Sequence, residues 1–299
     1  MNILVLGSQG QVGWELTRSL LPLGKVTALG RSDVDMADLV ALRQSVHASE
    51  PHLIVNAAAY TAVDKAETNE ADAMAVNAVA PGILAEEALR GNALLIHYST
   101  DYVFDGQSKQ AYVETDPTNP QSAYGRSKLA GEKVIADTGC DYLILRTSWV
   151  YGARGHNFLR TMLRLGHERE SLRIVDDQTG APTWSRWIAD ATAHVARQAM
   201  GKRAAQAFQS GTYHLACAGA TSWYGFASAI FEQYRLLYPT AQLTVRTIAP
   251  IATAEYPLPA KRPANSRLGC QKLAADYGIV TPDWQQALQL CMMDLGEGR

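Results

Sequence analysis

An α/β architecture, a doubly wound parallel sheet with a smaller α/β lobe toward the C-terminus, is the fold class that three observations predict. Short apolar runs alternate with helical patterns through the first half of the chain, a glycine-rich loop joins the first run to the first helix, and the alternation fades after Tyr151. With 299 residues, 47% hydrophobic and 19% charged, the chain has apolar mass for a large core and too little charge for a disordered protein.

Residues 3–6 read as the first strand. Residues 12–21 read as a helix stopped by Pro22 and Gly24, and residues 25–29 as the second strand. A helix over 39–48 leads to a buried strand over 53–55 that ends at Asn56. One long Ala-rich helix is expected over 66–90, then a strand over 93–98 that breaks at Ser99-Thr100-Asp101. Pro117 and Pro120 punctuate a loop before a helix over 122–136, and a strand over 142–145 ends at Arg146-Thr147-Ser148-Trp149. Beyond it lie a helix over 157–167, a strand over 172–175, the loop 177–183 and a helix over 187–200 expected to return to the first sheet. Residues 212–216 and the tail from Thr221 are assigned to the second lobe, and the proline-rich stretch 255–263 to an ordered loop.

Charge excludes some partners. Lys and Arg number 27 against 29 Asp and Glu, a net charge of −2, so no basic excess exists for duplex nucleic acid or an anionic membrane surface. Cys140, Cys217, Cys270 and Cys291 are scattered, without the pairing that marks a zinc site or a disulfide framework. No apolar run approaches the ~20 residues that span a bilayer, and the N-terminus lacks signal-peptide features, so the expected location is the cytoplasm.

Gly7-Ser8-Gln9-Gly10-Gln11-Val12-Gly13 stands between a strand and a helix, where glycines let a pyrophosphate approach a helix N-terminus. Its Gly-x-x-Gly-x-x-Gly spacing also suits a tight strand-to-helix turn without ligand. At the end of the second strand, where an acidic side chain takes the ribose hydroxyls of NAD, stand Gly30 and Arg31. Arg31 favours the 2′-phosphate of NADPH, while Asp33 and Asp35 leave NADH open.

Tyr124 and Lys128 are four apart on a helix and project from one face. A free phenol has a pKa of about 10, and a neighbouring cation stabilises its phenolate, so the pair suits acid–base work. Thr100 at the end of a parallel strand is the expected second donor to the same substrate oxygen, with Ser99 as rival if the register is off by one. His97 reads as a packed, hydrogen-bonded residue rather than a general base. Arg262, in the proline-rich loop, has two readings: a grip on a diphosphate, or a partner for a carboxylate.

These motifs, with residues 56–61 (Asn-Ala-Ala-Ala-Tyr-Thr), resemble the extended short-chain dehydrogenase/reductase family. Blocks 97–106, 146–151, 177–183 and 262–268 resemble its dTDP-4-dehydrorhamnose reductase branch, so the similarity covers essentially the whole chain. That resemblance implies reduction of the C4 ketone of dTDP-4-dehydro-L-rhamnose by NADPH or NADH, the last step of dTDP-L-rhamnose synthesis. It implies a Rossmann-type cofactor domain over 1–150 with a returning segment near 185–210, and a sugar-nucleotide lobe over 151–184 and 211–299.

By the same resemblance Thr100, Tyr124 and Lys128 are catalytic. Gly7, Gly10, Gln11, Val12, Gly13, Arg31, Asp35, Met36, Ala59, Tyr60, Thr61 and Tyr98 join Tyr124 and Lys128 around the cofactor, while Thr100, Asp101, Trp149 and Arg262 face the sugar nucleotide. Many relatives carry an acidic residue where this chain has Gly30-Arg31, a departure that reinforces NADPH. A homodimer and a magnesium ion at acidic side chains are also implied. Glu15 is the candidate ligand, although one carboxylate does not define a site and a solvated helix residue looks the same. Two alternatives stay open: a reductase giving the C4 epimer, dTDP-6-deoxy-L-talose, and a non-catalytic nucleotide-binding regulatory subunit.

Overall fold

A computed structural model describes residues 1–296. In chain order the elements are β1 (Asn2–Leu6), α1 (Gln11–Ser19), β2 (Lys25–Leu29), α2 (Leu39–Ser49), β3 (Leu53–Asn56), α3 (Val63–Ala66), α4 (Glu70–Met74), α5 (Ala80–Arg90), β4 (Leu94–Thr100), α6 (Ala123–Thr138) and β5 (Asp141–Thr147). There follow β6 (Val150–Tyr151), α7 (Phe158–Glu168), β7 (Ser171–Val175), β8 (Thr179–Gly180), β9 (Thr183–Trp184), α8 (Ser185–Ala204), β10 (Gly211–His214), β11 (Thr221–Ser222), α9 (Trp223–Leu237), β12 (Thr247–Ile251), α10 (Gln271–Tyr277) and α11 (Trp284–Met293).

Six parallel strands form the main sheet in the order β2-β1-β3-β4-β5-β10. Successive strand side chains point to opposite faces, and the buried residues divide accordingly. Ile3, Val5, Leu53, Val55, Leu94 and Ile96 pack under α1 and α8, whereas Leu4, Leu6, Ile54 and Leu95 pack under α2, α5 and α6. Both faces are covered, which is why these strands read as continuous apolar runs. The chain leaves β1 for β2 on one side and returns to β3 on the other, so the strand order reverses between β1 and β3. In open parallel sheets that reversal opens a crevice at the carboxyl ends.

A separate apolar core, with Tyr151, Leu159, Leu172, Ile174, Phe226, Ile230, Trp284 and Leu288, lies beyond the main sheet. Trp187 on α8 packs against this core and against the α1 face of the sheet.

Three expectations need correction. Residues 211–214 belong to the main sheet, pairing with β5 from Gly211 opposite Leu143 to His214 opposite Arg146, and Leu273 and Tyr277 of α10 join the core beneath it. The helix expected over 66–90 is instead α3, a break, α4, a π-helical turn over Ala75–Val79, and α5. Single π turns recur where a functional side chain must be re-aimed, and this one carries Asn77. Residues 247–251, left without an element, form β12 opposite β7; Pro250 is tolerated because the ribbon has only two strands.

Glu132 and Arg146 form a two-pronged ion pair at 2.9 and 2.6 Å, each side chain 6% exposed. Removing one member leaves the other charged and buried. Glu132→Ala is therefore expected to lower unfolding stability by about 3–5 kcal/mol, measured by chemical denaturation, and Glu132→Leu combined with Arg146→Met is expected to recover most of that loss.

Candidate active site

A cavity of about 540 Å³ opens over the carboxyl ends of β1 and β3. The glycine loop forms its base. Gly7 has φ of +79° and a Cβ there would meet Ala58 N at 2.6 Å, while a Cβ on Gly13 would meet Gly7 O at 2.1 Å. Gly7 and Ser8 donate their backbone N–H groups to Leu29 O at 2.9 and 3.1 Å, tying the loop to the end of β2. The loop thus lies close beneath the cavity, with the N-terminus of α1 aimed at it.

Residues 57–61 form the adjoining wall. Asn77, buried in the π turn, accepts from Tyr60 N at 2.8 Å and donates to Tyr60 O at 3.1 Å and to Ser127 Oγ at 3.0 Å. One amide therefore fixes both backbone groups of a wall residue to α6. Nothing in the local pattern marks Asn77 beyond its being polar in an apolar stretch.

The N-terminus of α6 is fixed from several directions. Ser122 Oγ accepts from Gly125 N at 3.1 Å, Glu67 Oε1 accepts from Ala123 N at 2.9 Å, and a Cβ on Gly125 would meet Tyr102 O at 2.2 Å. Tyr124 and Lys128 then project into the cavity together. Burial pushes the Tyr124 phenol above the usual tyrosine range, against the pull of the Thr100 hydroxyl beside it. Lys128 is only 2% exposed and donates to Tyr98 O at 2.6 Å, with His97 Nε2 at 3.1 Å. Burial brings its ammonium down to about 8, opposed by the Glu132 carboxylate. Asp101, buried next to Thr100, is pushed up to about 6, with the Ser266 and Thr100 hydroxyls pulling the other way.

The "RmlD substrate binding domain" family model matches residues 1–296. The chain is similar to a dTDP-4-dehydrorhamnose reductase of Burkholderia thailandensis, 55% identical over 99% of each chain. Among solved structures it resembles a dTDP-4-dehydrorhamnose reductase of Clostridium acetobutylicum, 36% identical over 99% of both chains with a TM-score of 0.88. A second, from Bacillus anthracis and in complex with NADP, is 32% identical over 98% of both chains with a TM-score of 0.86. This chain belongs to the dTDP-4-dehydrorhamnose reductase family.

Against that family frame, the cavity gathers Gly7, Gly10, Gln11, Val12, Arg31, Asp35, Met36, Ala59, Tyr60, Thr61, Tyr98, Tyr124 and Lys128. Gly13 is not in the lining; it serves the close approach of α1 to the loop. Ser99 and Thr147 line the cavity as well, each with a buried hydroxyl that has no partner among the described residues. Thr100 does not line it but reaches Tyr124 from the side.

Four further residues take the following places. Lys128, expected to lower the tyrosine pKa, is turned toward Tyr98 O and His97, and burial dominates Tyr124. Arg262 takes its carboxylate reading, pairing with Asp64 Oδ2 at 2.6 Å and donating to Tyr102 Oη at 3.4 Å. Trp149, with φ of +48°, stacks on Trp223 at 3.6 Å, outside the lining of this cavity. Glu15 stands among Arg186, Arg18, Asp294 and Asp190, and no cluster of three or more His, Cys, Asp or Glu able to hold a metal ion occurs among the described residues.

Because a Gly13 Cβ would meet a carbonyl oxygen rather than a side chain that can swing away, Gly13→Ala must push α1 off the loop. Its expected cost is about 1–3 kcal/mol, read as a lowered denaturation midpoint, and a midpoint equal to wild type would contradict the assigned contact.

Proposed function

We propose that the protein reduces the C4 ketone of dTDP-4-dehydro-L-rhamnose to dTDP-L-rhamnose with a nicotinamide dinucleotide, preferring NADPH. The observation that carries this reading is Tyr124, poised beside Thr100 and one helical turn from Lys128 at a glycine-floored cavity, in a chain of this reductase family. The residues suit the cofactor: the glycine cradle has no space for a Cβ, and two unpartnered hydroxyls face the cavity. When bound, the dihydronicotinamide supplies the hydride to C4.

The chain's own groups do the rest. The Tyr124 phenol, which burial raises above its usual range, is protonated at neutral pH and is the proton donor to the developing alkoxide. The Thr100 hydroxyl orients the same oxygen, and Lys128 supplies positive charge near the phenolate that donation leaves behind. Asp101 and Trp149 are assigned to the sugar nucleotide. Arg262, held by Asp64, braces Tyr102, whose ring meets that of Tyr124 edge-on at 5.5 Å. Residues 151–184 with 215–296, apart from α10 beneath the main sheet, form the substrate side of this scheme. The cellular location we assign is the cytoplasm, in keeping with four free cysteines, and no helix among the described residues is long and apolar enough to cross a membrane.

NADPH is preferred because Arg31 brings positive charge to the cavity, while Asp33 and Asp35 each give one oxygen to the backbone. Asp33 Oδ2 accepts from Gly30 N at 2.7 Å and Asp35 Oδ1 from Ala37 N at 3.0 Å. Arg31→Ala is expected to raise the KM for NADPH at least tenfold, with a much smaller effect on NADH. Equal effects on the two cofactors would remove the 2′-phosphate assignment.

The deciding experiment follows NADPH oxidation with dTDP-4-dehydro-L-rhamnose and identifies the product by NMR. Turnover to dTDP-L-rhamnose that falls at least a hundredfold in Tyr124→Phe is the expected outcome. The talose epimer would change the product assignment, and absence of turnover despite cofactor binding would favour a regulatory subunit. Because Lys128 loses its charge near pH 8, kcat for ketone reduction is expected to decline as pH rises through that value, and a rate flat from pH 6 to 10 would speak against the role given to the lysine.

A further inference from the structure

Behind Lys128 lies a buried hydrogen-bond chain that the proposed chemistry does not use. His97 is 0% exposed and Asn56 1%. Asn56 Oδ1 accepts from Ala58 N at 3.1 Å, which turns the amide nitrogen of the same side chain toward His97 Nδ1 at 3.0 Å. An amide nitrogen only donates, so His97 Nδ1 must accept and the ring proton must reside on Nε2. That proton points at Lys128 Nζ, 3.1 Å away.

We propose that Asn56 and His97 act as positioning residues that set the protonation equilibrium of Lys128, Asn56 holding His97 as the Nε2–H tautomer whose proton faces the lysine amine. This rests on the assignment of Lys128 to the reductase site. A neutral amine accepts from Nε2–H while donating to Tyr98 O. An ammonium has no lone pair and meets Nε2–H donor to donor. Relieving that clash requires the ring proton to move to Nδ1, where it would face the amide nitrogen of Asn56 unless that amide rotates and surrenders the Ala58 N–H. The network therefore favours the neutral amine.

The other groups bearing on this equilibrium are few. Glu132, one turn further along α6, favours the ammonium, but it is engaged by Arg146 of β5 at 2.9 and 2.6 Å. Tyr98 of β4 directs its hydroxyl to Thr192 Oγ1 of α8 at 2.6 Å, and burial keeps the Tyr98 and Tyr124 phenols neutral. Burial and Lys128 likewise keep His97 uncharged, leaving its tautomer, rather than its charge, as the variable.

Asn56→Asp tests this with little change of shape. One carboxylate oxygen still accepts from Ala58 N, and the other can accept only from Nδ1–H, which frees the Nε2 lone pair for an ammonium. In the wild type at a pH above the Lys128 midpoint, where the amine is neutral, 15N NMR of the His97 ring should show a bare Nδ1 and a protonated Nε2, and Asn56→Asp should reverse the pattern. The Lys128 titration, followed by 13C NMR at Cε and assigned with Lys128→Arg, should move upward by about one pH unit in Asn56→Asp. The alkaline decline of ketone reduction should move with it. A protonated Nδ1 in the wild type above the Lys128 midpoint, a measurement that needs no variant, would overturn the proposal, as would an unmoved lysine midpoint in Asn56→Asp. Both NMR readings are independent of turnover, so failure to reduce the ketone would count against the proposed function and not against this network.

Discussion

The constraint on which the candidate site depends is the burial of one amine. A lysine shut away from water loses solvation worth far more than a single contact returns, so its hydrogens must find acceptors in the protein. Lys128 finds Tyr98 O at 2.6 Å, close to the carboxyl end of β4, and α6 can meet that strand only if its backbone comes close to its neighbours. Two glycines permit the approach. A Cβ on Gly131 would meet Asn77 O at 2.1 Å, and one on Gly125 would meet Tyr102 O at 2.2 Å. With the helix fixed at Ser122 by its cap, Tyr124 has little freedom, being one turn before the lysine on the same face. The phenol's position is thus largely a consequence of where the amine is anchored.

The same anchoring explains what a sequence can reveal. Strands buried on both faces announce themselves as apolar runs, and β1, β3, β4 and β5 are legible for that reason; their boundaries differ because β4 and β5 continue into polar residues, through Thr100 and Thr147. The glycine loop and the spacing of Tyr124 and Lys128 are local patterns and are equally legible. What is lost is whatever depends on pairing across the chain. Gly211–His214 carries no signal that it will join β5 rather than the other lobe, since the choice is made by partners such as Tyr213 against Tyr277. Arg262 and Asp64 are 198 residues apart, and neither residue's surroundings predict the other. The break in the helix expected over 66–90 belongs to a third kind: its composition favours a helix, and the π turn is imposed by the need to place Asn77 between Tyr60 and Ser127.

The end of the cavity beside β2 is shaped by a turn as much as by a charge. Asp33, which in sequence competes with Arg31 for the ribose, uses its carboxylate to close the turn that follows β2, accepting from Gly30 N. Gln9 of the glycine loop donates to Ser32 Oγ at 3.0 Å across the same turn, so the glycine loop and the β2 end of the cavity are held together. Asp33 thereby gives one oxygen to the turn, and Arg31 adds positive charge to the lining of the cavity.

The C-terminal segment completes the tyrosine's surroundings rather than lying apart from them. Arg262 reaches back to Asp64 at the start of α3, with Ala260 N donating to the other oxygen of that carboxylate at 3.1 Å. These two contacts bring the proline-rich loop against Tyr102, whose ring packs edge-on against Tyr124. Nearby, the Gly106 Cα, in a left-handed conformation, lies so close to Pro263 that a Cβ there would meet it at 2.6 Å. The groups that keep the phenol desolvated thus come from both ends of the chain. Burial behind that wall is what raises the phenol above its usual range, so the loop near residue 262 bears on Tyr124 through Tyr102, by packing.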